Sequence, residues 1–263
     1  MNIVILDTSQ QIARLAAEQV IGVVQSCESP VLGMAAGATP LLLYAQLIHC
    51  YGKGQISFRS TSTFNLDEYV ALPPDSTNSY RYYMQSNFFD HVDLQAKNSY
   101  LPDGRADDLQ LAAKRYERTI ASTGGIDLQI LGIGTNGHIG FNEPGSSFAS
   151  RTRVVALSDS TIDSNRHYFG ESGAVPEKAI TVGIGSILDS RGLLLIATGE
   201  HKAEAVRAAL EGPVSPICPA SAVQLHPKVT VLLDRAAASQ LTHRDDYIKC
   251  QQTPPGLASA TPR

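Results

Sequence analysis

The stretch from residue 126 to residue 145, IDLQILGIGTNGHIGFNEPG, constrains the fold of this chain more than any other segment. Its apolar first part, residues 126–133, gives way to a segment in which glycines surround one histidine, His138. An apolar run that ends in glycine predicts a buried strand leading into a tight loop. Ligands bind at the carboxyl ends of strands in open α/β sheets, and histidine titrates near neutral pH. The loop is therefore a candidate for acid–base chemistry.

Apolar strand-like segments alternate with amphipathic helical segments along most of the chain. We expect a helix with Ser9 as its N-cap over residues 9–25, and further helices over residues 106–122, 160–168 and 200–211. Strands are expected over residues 3–6, 31–35, 60–66, 126–133, 151–157, 193–198 and 229–233. This alternation predicts a single-domain, Rossmann-like, three-layer α/β sandwich with a mostly parallel central sheet. We expect the domain to cover residues 1–250, with a disordered tail over residues 251–263.

Composition narrows the class of partner. The net charge is −4 and basic residues are not clustered, which disfavours nucleic acid and membrane surfaces as partners. The four cysteines form no CxxC pair, so we expect neither a zinc site nor a disulfide scaffold. Scattered thiols of this kind fit a reducing cytoplasm. The first ten residues lack the pattern of a signal peptide, and glycine and proline interrupt residues 31–48, which argues against a membrane helix. We expect either a protein that acts on a small molecule or an interaction domain.

Two further strand ends carry polar chemistry. Gly37, Ala38, Thr39 and Pro40 form a glycine-containing turn before a helix, in which Thr39 would cap and Pro40 would begin the helix. Such a turn can bind an anion, although it is also an ordinary connection in doubly wound folds. At the end of residues 60–66 stand Asp67 and Glu68, a possible general base with a partner, or a solvated turn.

The central loop also matches a dinucleotide-binding pattern. Residues 132–137, GIGTNG, fit GxGxxG, a motif that requires a helix to begin within it. Gly140, Pro144 and Gly145 follow, so residues 138–145 are not expected to form a regular helix. The sequence therefore disfavours a nicotinamide enzyme.

Together the ends of the three strands supply an anion-binding turn, a carboxylate that could act as a base, and a histidine with a carboxylate nearby. At this point the sequence resembles the glucosamine-6-phosphate deaminases of the glucosamine/galactosamine-6-phosphate isomerase family. The resemblance covers roughly residues 30–235 and is most specific in FNLDEYV and GHIGFNEP. It also includes VLGMAAGATP, NSYRYYMQSNFFDHV, AITVGIGSILD, GEHKAEAV and SAVQLHPK.

The resemblance implies conversion of glucosamine 6-phosphate and water to fructose 6-phosphate and ammonia, without a metal or redox cofactor. It implies that His138 opens the sugar ring as acid and base, and that Glu143 orients and polarises His138. It also implies that Asp67 moves the proton from carbon 2 to carbon 1. Asn136 stands where many members have an aspartate, so Glu143 would be the only carboxylate of the relay.

The same resemblance implies a phosphate site. Gly37, Ala38 and Thr39 would offer backbone N–H groups to the phosphate, and Lys202 would add a positive charge. The arginine of the family falls in a region that reads SNRHYF here, so either Arg166 or His167 stands in its place.

The sequence leaves several alternatives open. A hydrolase like 6-phosphogluconolactonase, which would not need a base at Asp67, is one alternative, and a sugar-phosphate sensor without turnover is another. Val155 replaces a basic residue of the family's allosteric site while Ser146 and Arg153 remain, so activation by N-acetylglucosamine 6-phosphate stays open. The glucosamine or galactosamine epimer and the choice between a monomer and a homo-oligomer stay open too.

Overall fold

The computed structural model of this chain describes residues 1–73, 76–166, 169 and 175–252. Within them, seven strands form a parallel sheet and three form a small antiparallel sheet. The strands are β1 (Asn2–Leu6), β2 (Val31–Met34), β3 (Ser62–Asn65), β4 (Asp67–Tyr69), β5 (Ser99–Tyr100), β6 (Leu128–Leu131), β7 (Arg153–Ala156), β8 (Lys178–Thr181), β9 (Leu193–Ala197) and β10 (Val229–Asp234). The helices are α1 (Ser9–Ser26), α2 (Leu41–Gly52), α3 (Tyr80–Asn87), α4 (Leu109–Ser122), α5 (Asp159–Asn165), α6 (Ile184–Leu188), α7 (Ala203–Leu210) and α8 (Arg244–Gln252). No helix in this part of the chain is long and apolar enough to cross a membrane.

The structure confirms the predicted fold class. The large sheet has the order β1-β10-β9-β6-β2-β3-β5 with parallel pairing throughout, and helices cover both of its faces. Helix α8 includes Gln251 and Gln252, two residues past the predicted end of the domain. The rest of the predicted tail, residues 253–263, lies outside the described residues, and the domain limits remain a prediction.

The first helix shows how local sequence sets an element boundary. Thr8, and not the predicted Ser9, is the N-cap of α1. The Thr8 hydroxyl accepts a hydrogen bond from the Gln11 N–H at 3.2 Å, and the Gln11 side chain accepts one from the Thr8 N–H at 3.1 Å. The glutamine three positions after the cap completes a capping box, which makes Thr8 the better start.

The centre of the sheet is buried on both faces. Every residue of β2, β6 and β9 is buried, which explains why these segments read as continuous apolar runs. Gln129 of β6 is the one polar residue in these three strands, and it is buried as well, with only 1 % of its surface exposed. Its side chain occupies the space beside Gly33, where an added Cβ would lie 2.1 Å from the Gln129 Oε1.

The strand order determines which loops meet. Strands β9, β6, β2 and β3 are consecutive neighbours and run parallel, so the segments that follow them emerge at one edge of the sheet. These four segments are the turn that carries Lys202 (the lysine turn, residues 198–202), the loop around His138 (the histidine loop, residues 132–145), the turn at residues 37–40 (the anion turn) and the segment that begins with Asp67.

The segment that begins with Asp67 belongs to the small antiparallel sheet. One residue, Leu66, separates β3 from β4, and β4 pairs antiparallel with β8, with Asp67 opposite Thr181. Strand β7 lies on the other side of β8. Asp67 is thereby fixed by pairing with a strand that lies more than one hundred residues further along the chain.

The start of α6 leaves no room for a side chain at Gly183. A Cβ added there would lie 2.2 Å from the Ser150 carbonyl oxygen, which accepts a hydrogen bond from the Gly185 N–H at 2.9 Å. We expect Gly183→Ala to lower the free energy of unfolding by about 1–3 kcal/mol, measured by chemical denaturation. Gly22→Ala, in the middle of α1 with nothing within 4 Å, serves as the control and should raise it by about 0.5–1 kcal/mol. Equal effects of the two substitutions would contradict this packing.

Candidate active site

The loop after β6 folds around its own histidine. The Gly134 N–H donates to the His138 carbonyl oxygen at 2.9 Å, and the Gly137 N–H donates to the Gly134 carbonyl oxygen at 3.0 Å. A Cβ on Gly134 would lie 2.3 Å from the imidazole, and Gly137 has a φ of +82°, so both positions require glycine. No helix begins between residues 132 and 145, so the GxGxxG match is not a dinucleotide-binding turn.

His138, Asn136 and Glu143 lie together in this loop. The Asn136 side-chain amide donates to the Glu143 Oε2 at 2.9 Å, and the Asn136 Oδ1 accepts from the His138 backbone N–H at 3.2 Å. The same Glu143 oxygen lies 3.7 Å from the Nδ1 of His138, whose side chain is 23 % exposed. This separation exceeds a hydrogen bond, so the two side chains interact electrostatically in this conformation.

The other oxygen of Glu143 reaches the start of α5. The Ser158 hydroxyl donates to the Glu143 Oε1 at 2.9 Å, and the Thr161 hydroxyl donates to the same oxygen. Burial would raise the pKa of Glu143, but the neighbouring His138 and hydrogen bonds from Thr161 and Asn136 lower it to about 2. Glu143 is therefore ionised at neutral pH. Sequence reasoning missed Ser158 and Thr161, whose only local signal is the spacing of a helix cap.

Asp67 lies against the histidine loop from the other side. It is 6 % exposed, and a Cβ on Gly140 would lie 3.2 Å from its Oδ2. Burial, and then the charge of Glu68, raise the pKa of Asp67 from 3.8 to about 8, against a hydrogen bond from the backbone of Phe141. A carboxylate with this pKa is a stronger base than an exposed aspartate.

Glu68 has a different role from its neighbour. Its carboxylate accepts hydrogen bonds from the backbone N–H groups of Tyr69, Tyr80 and Arg81, each at 2.9 Å. Two of these belong to the first turn of α3, so Glu68 holds the N-terminus of that helix. Burial raises the pKa of Glu68 despite these bonds. Asp67 and Glu68 are both buried in β4, so the alternative of a solvated turn is wrong, and the contacts of Glu68 give it a structural role in holding α3.

The anion turn follows β2. Gly37 has a φ of +108°, and Pro40 instead of Thr39 occupies the N-cap position of α2, without a side-chain cap. The predicted cap at Thr39 is therefore wrong by one residue, because Pro40 already closes the turn that precedes the helix. The Thr39 side chain faces the histidine loop, since a Cβ on Gly132 would lie 3.9 Å from its Cβ and Oγ1.

Lys202 lies in the turn after β9. It ends a 3₁₀ turn, Glu200–Lys202, and its half-buried ammonium has a pKa lowered by burial. The turn is fixed through Gly199, whose N–H donates to the Asp234 carboxylate at 2.9 Å. Because β9 is the neighbour of β6, Lys202 belongs to the same edge of the sheet as His138.

Arg166 stands apart from these groups in its described contacts. Its exposed guanidinium pairs with the Oδ1 of Asp163 at 2.8 Å, one turn earlier on α5. His167 lies outside the described residues. The assignment of a phosphate ligand to this region therefore remains a prediction.

Arg153 and Ser146, which the resemblance links to allosteric control, contact each other. The Arg153 guanidinium donates to the Asn142 Oδ1 at 2.8 Å and to the Ser146 Oγ at 3.2 Å. Burial lowers the pKa of Arg153. Among the described residues, no three His, Cys, Asp or Glu side chains form a group that could hold a metal ion.

A parallel α/β sheet carries at its carboxyl edge a buried aspartate and a histidine beside a carboxylate, an arrangement that is typical of an α/β acid–base enzyme. The chain belongs to the glucosamine-6-phosphate isomerases/6-phosphogluconolactonase family, whose model matches residues 7–232. It is 49 % identical to glucosamine-6-phosphate deaminase of Marinomonas sp. (strain MWYL1), with 96 % of each chain covered. It is 44 % identical to the enzyme of the same name from Thermoanaerobacter pseudethanolicus, over 93 % of this chain and 97 % of that protein.

Solved structures show the same relationship. A monomeric glucosamine-6-phosphate deaminase superposes with a TM-score of 0.89 at 46 % identity, over 91 % of this chain and 99 % of that chain. The 6-phosphogluconolactonase of Trypanosoma brucei has a TM-score of 0.73 at 20 % identity, over 92 % and 98 % of the two chains. The second likeness shows the shared fold alone.

The raised pKa of Asp67 predicts a stability cost. Between its unfolded pKa of 3.8 and its folded pKa of about 8, the native state retains a proton that the unfolded state releases. The stability from Asp67 is therefore complete below the lower value and is lost as pH rises through the higher one. We therefore expect the melting temperature of Asp67→Asn to be higher than that of the wild type, and the difference between the two to increase from about pH 5 to pH 8. Each ~1 kcal/mol of difference in the free energy of unfolding corresponds to about 2–4 °C in melting temperature.

The control for this measurement is Asp107→Asn, which changes an exposed aspartate and should leave the melting temperature unchanged across the same range. A difference between Asp67→Asn and the wild type that is constant with pH would contradict the raised pKa of Asp67.

Proposed function

We propose that the chain is a glucosamine-6-phosphate deaminase, which converts glucosamine 6-phosphate and water to fructose 6-phosphate and ammonia. The observation that carries the proposal is the approach of the Asp67 carboxylate to Gly140, two residues after His138. This approach supports a single pocket in which a base and an acid–base histidine act on neighbouring atoms of one sugar. The relatives described above support the same assignment by their names.

In the first step of the proposed mechanism, His138 opens the sugar ring. Its imidazole accepts the proton of the carbon 1 hydroxyl and delivers a proton to the ring oxygen, which leaves carbon 1 as an aldehyde. The ionised Glu143, 3.7 Å from the Nδ1, stabilises the imidazolium that forms between the two transfers. Asn136 holds that carboxylate in place at 2.9 Å without adding a charge.

In the second step, Asp67 removes the proton from carbon 2 while a proton of the substrate's ammonium group passes to the carbonyl oxygen of carbon 1, and the product is an enolamine. The protonated Asp67 then returns the proton to carbon 1, which yields an imine at carbon 2. Water adds to this imine, and the carbon–nitrogen bond breaks with release of ammonia and the ketone. A carboxylate whose pKa is raised to about 8 by burial can both take and return a proton near neutral pH.

The phosphate of the substrate is assigned to the anion turn and Lys202. Backbone N–H groups of residues 37–39 at the start of α2 would face the phosphate, with the positive end of the helix dipole behind them. Lys202 supplies a cation from the adjacent strand end. The epimer of the amino sugar is left open by these contacts.

We further propose a cytoplasmic enzyme whose site is complete within one chain. All four cysteines are free thiols, which supports a reducing compartment. The solved glucosamine-6-phosphate deaminase that superposes on this chain is monomeric, which supports a site formed by one chain.

The assignment is tested by a coupled assay for ammonia and fructose 6-phosphate on the purified protein. We expect turnover by the wild type and a fall of about 10²–10⁴-fold in kcat for both Asp67→Asn and His138→Gln. Asp107→Asn should retain wild-type activity. Hydrolysis of 6-phosphogluconolactone that survives Asp67→Asn, without ammonia release by the wild type, would favour the lactonase alternative. Binding of the sugar phosphate without turnover would favour the sensor.

The pH profile tests the role of Asp67 separately. Because the base must be ionised, kcat/KM should rise with pH and level off near the Asp67 pKa of about 8. The charge of Glu68 contributes to that pKa, so Glu68→Gln should move the rise to lower pH. A profile that is flat from about pH 6 to pH 8 would exclude Asp67 as the titrating base.

A further inference from the structure

Helix α3 lies between the base and the anion turn and is tied to both. At its N-terminus the Glu68 carboxylate accepts from the N–H groups of Tyr80 and Arg81, at 2.9 Å each. One turn further on, the Tyr83 hydroxyl donates to the Gly37 carbonyl oxygen at 2.6 Å. One short helix therefore connects the strand of Asp67 to the turn assigned to the phosphate.

A second tyrosine fixes the same turn from α2. Tyr44 is fully buried, and its hydroxyl donates to the Ala35 carbonyl oxygen at 2.6 Å while it accepts from the Ala35 N–H at 3.3 Å. Ala35 and Gly37 are thus both held through their backbones by phenolic hydroxyls.

Holding a carbonyl also orients the next N–H group. In a trans peptide the C=O and the following N–H point in opposite directions, and the described backbone contains no cis peptide. When Tyr83 holds the Gly37 carbonyl, the Ala38 N–H must point to the opposite side, away from the Tyr83 hydroxyl. Gly37 has a φ of +108° and no Cβ to restrict it, so an outside contact is needed to select this peptide orientation.

We propose that Tyr83 is a positioning residue for the substrate phosphate, which it aligns by fixing the peptide between Gly37 and Ala38. This inference rests on the proposed function and deepens it. Because α3 is also held by Glu68, the helix sets the distance between the phosphate seat and Asp67. The base is thereby matched to a substrate whose phosphate is on carbon 6 and whose transferred proton is on carbon 2.

The test is Tyr83→Phe, which removes one hydroxyl and keeps the ring that packs against Tyr80. We expect KM for glucosamine 6-phosphate and the inhibition constant of inorganic phosphate to rise together by about three- to tenfold, as for the loss of one neutral hydrogen bond. The value of kcat should change by less than about twofold, since the reacting groups are untouched.

The matched control is Tyr82→Phe, which removes an exposed hydroxyl from the same helix and should alter neither constant. A lower melting temperature for Tyr83→Phe with an unchanged phosphate inhibition constant would reduce Tyr83 to a structural role and overturn the proposal. A fall in kcat with no change in either constant would also overturn it.

The two proposals fail in different ways. Absence of ammonia release by the wild type would refute the proposed function. In that event calorimetric titration of wild type and Tyr83→Phe with inorganic phosphate still tests the positioning role. Weaker phosphate binding by the variant supports that role, and equal binding by the two proteins excludes it.

Discussion

The missing side chain of Gly140 is the constraint on which the site depends. Gly140 has a φ of +55°, and a Cβ there would lie 3.0 Å from the Thr181 hydroxyl and 3.2 Å from the Asp67 carboxylate. The close approach of the histidine loop to β4 and β8, together with the positive φ, therefore favours glycine at this position. Closure buries Asp67, and burial is the main cause of its raised pKa. One backbone position thus links the loop conformation to the strength of the base.

The two carboxylates of the site differ because their surroundings differ. Burial, and then the charge of Glu68, raise the pKa of Asp67 to about 8, whereas His138 and hydrogen bonds from hydroxyl and amide donors lower the pKa of Glu143 to about 2. Environments that separate the pKa values of two acids assign them different tasks. The first can exchange a proton near neutral pH, and the second remains a fixed negative charge beside the imidazole.

Local sequence was sufficient for the sheet and for the main site segments. The apolar runs at β2, β6 and β9 predicted buried parallel strands, and the residues after β2 and β6 predicted the anion turn and the histidine loop. Lys202 was identified only through the family resemblance, because the local pattern predicted a helix over residues 200–211 and the structure has a 3₁₀ turn at Glu200–Lys202. Local sequence could not reveal that Glu68 caps α3, because Tyr80 and Arg81 lie more than ten residues away. Ser158 and Thr161 were missed for the same reason, since their partner Glu143 lies in another loop. The pairing of Asp67 with Thr181 also arises only from the tertiary fold.

Glu143 divides its two oxygens between the imidazole side and the first turn of α5. Two hydroxyl groups of that turn stabilise the ionised form of Glu143, so the electrostatic field at His138 depends on the position of α5. A displacement of α5 by an ångström would withdraw these donors and make the carboxylate more basic. The pKa of Glu143 consequently depends on the position of this helix, and any contact that restrains α5 also affects the charge beside His138.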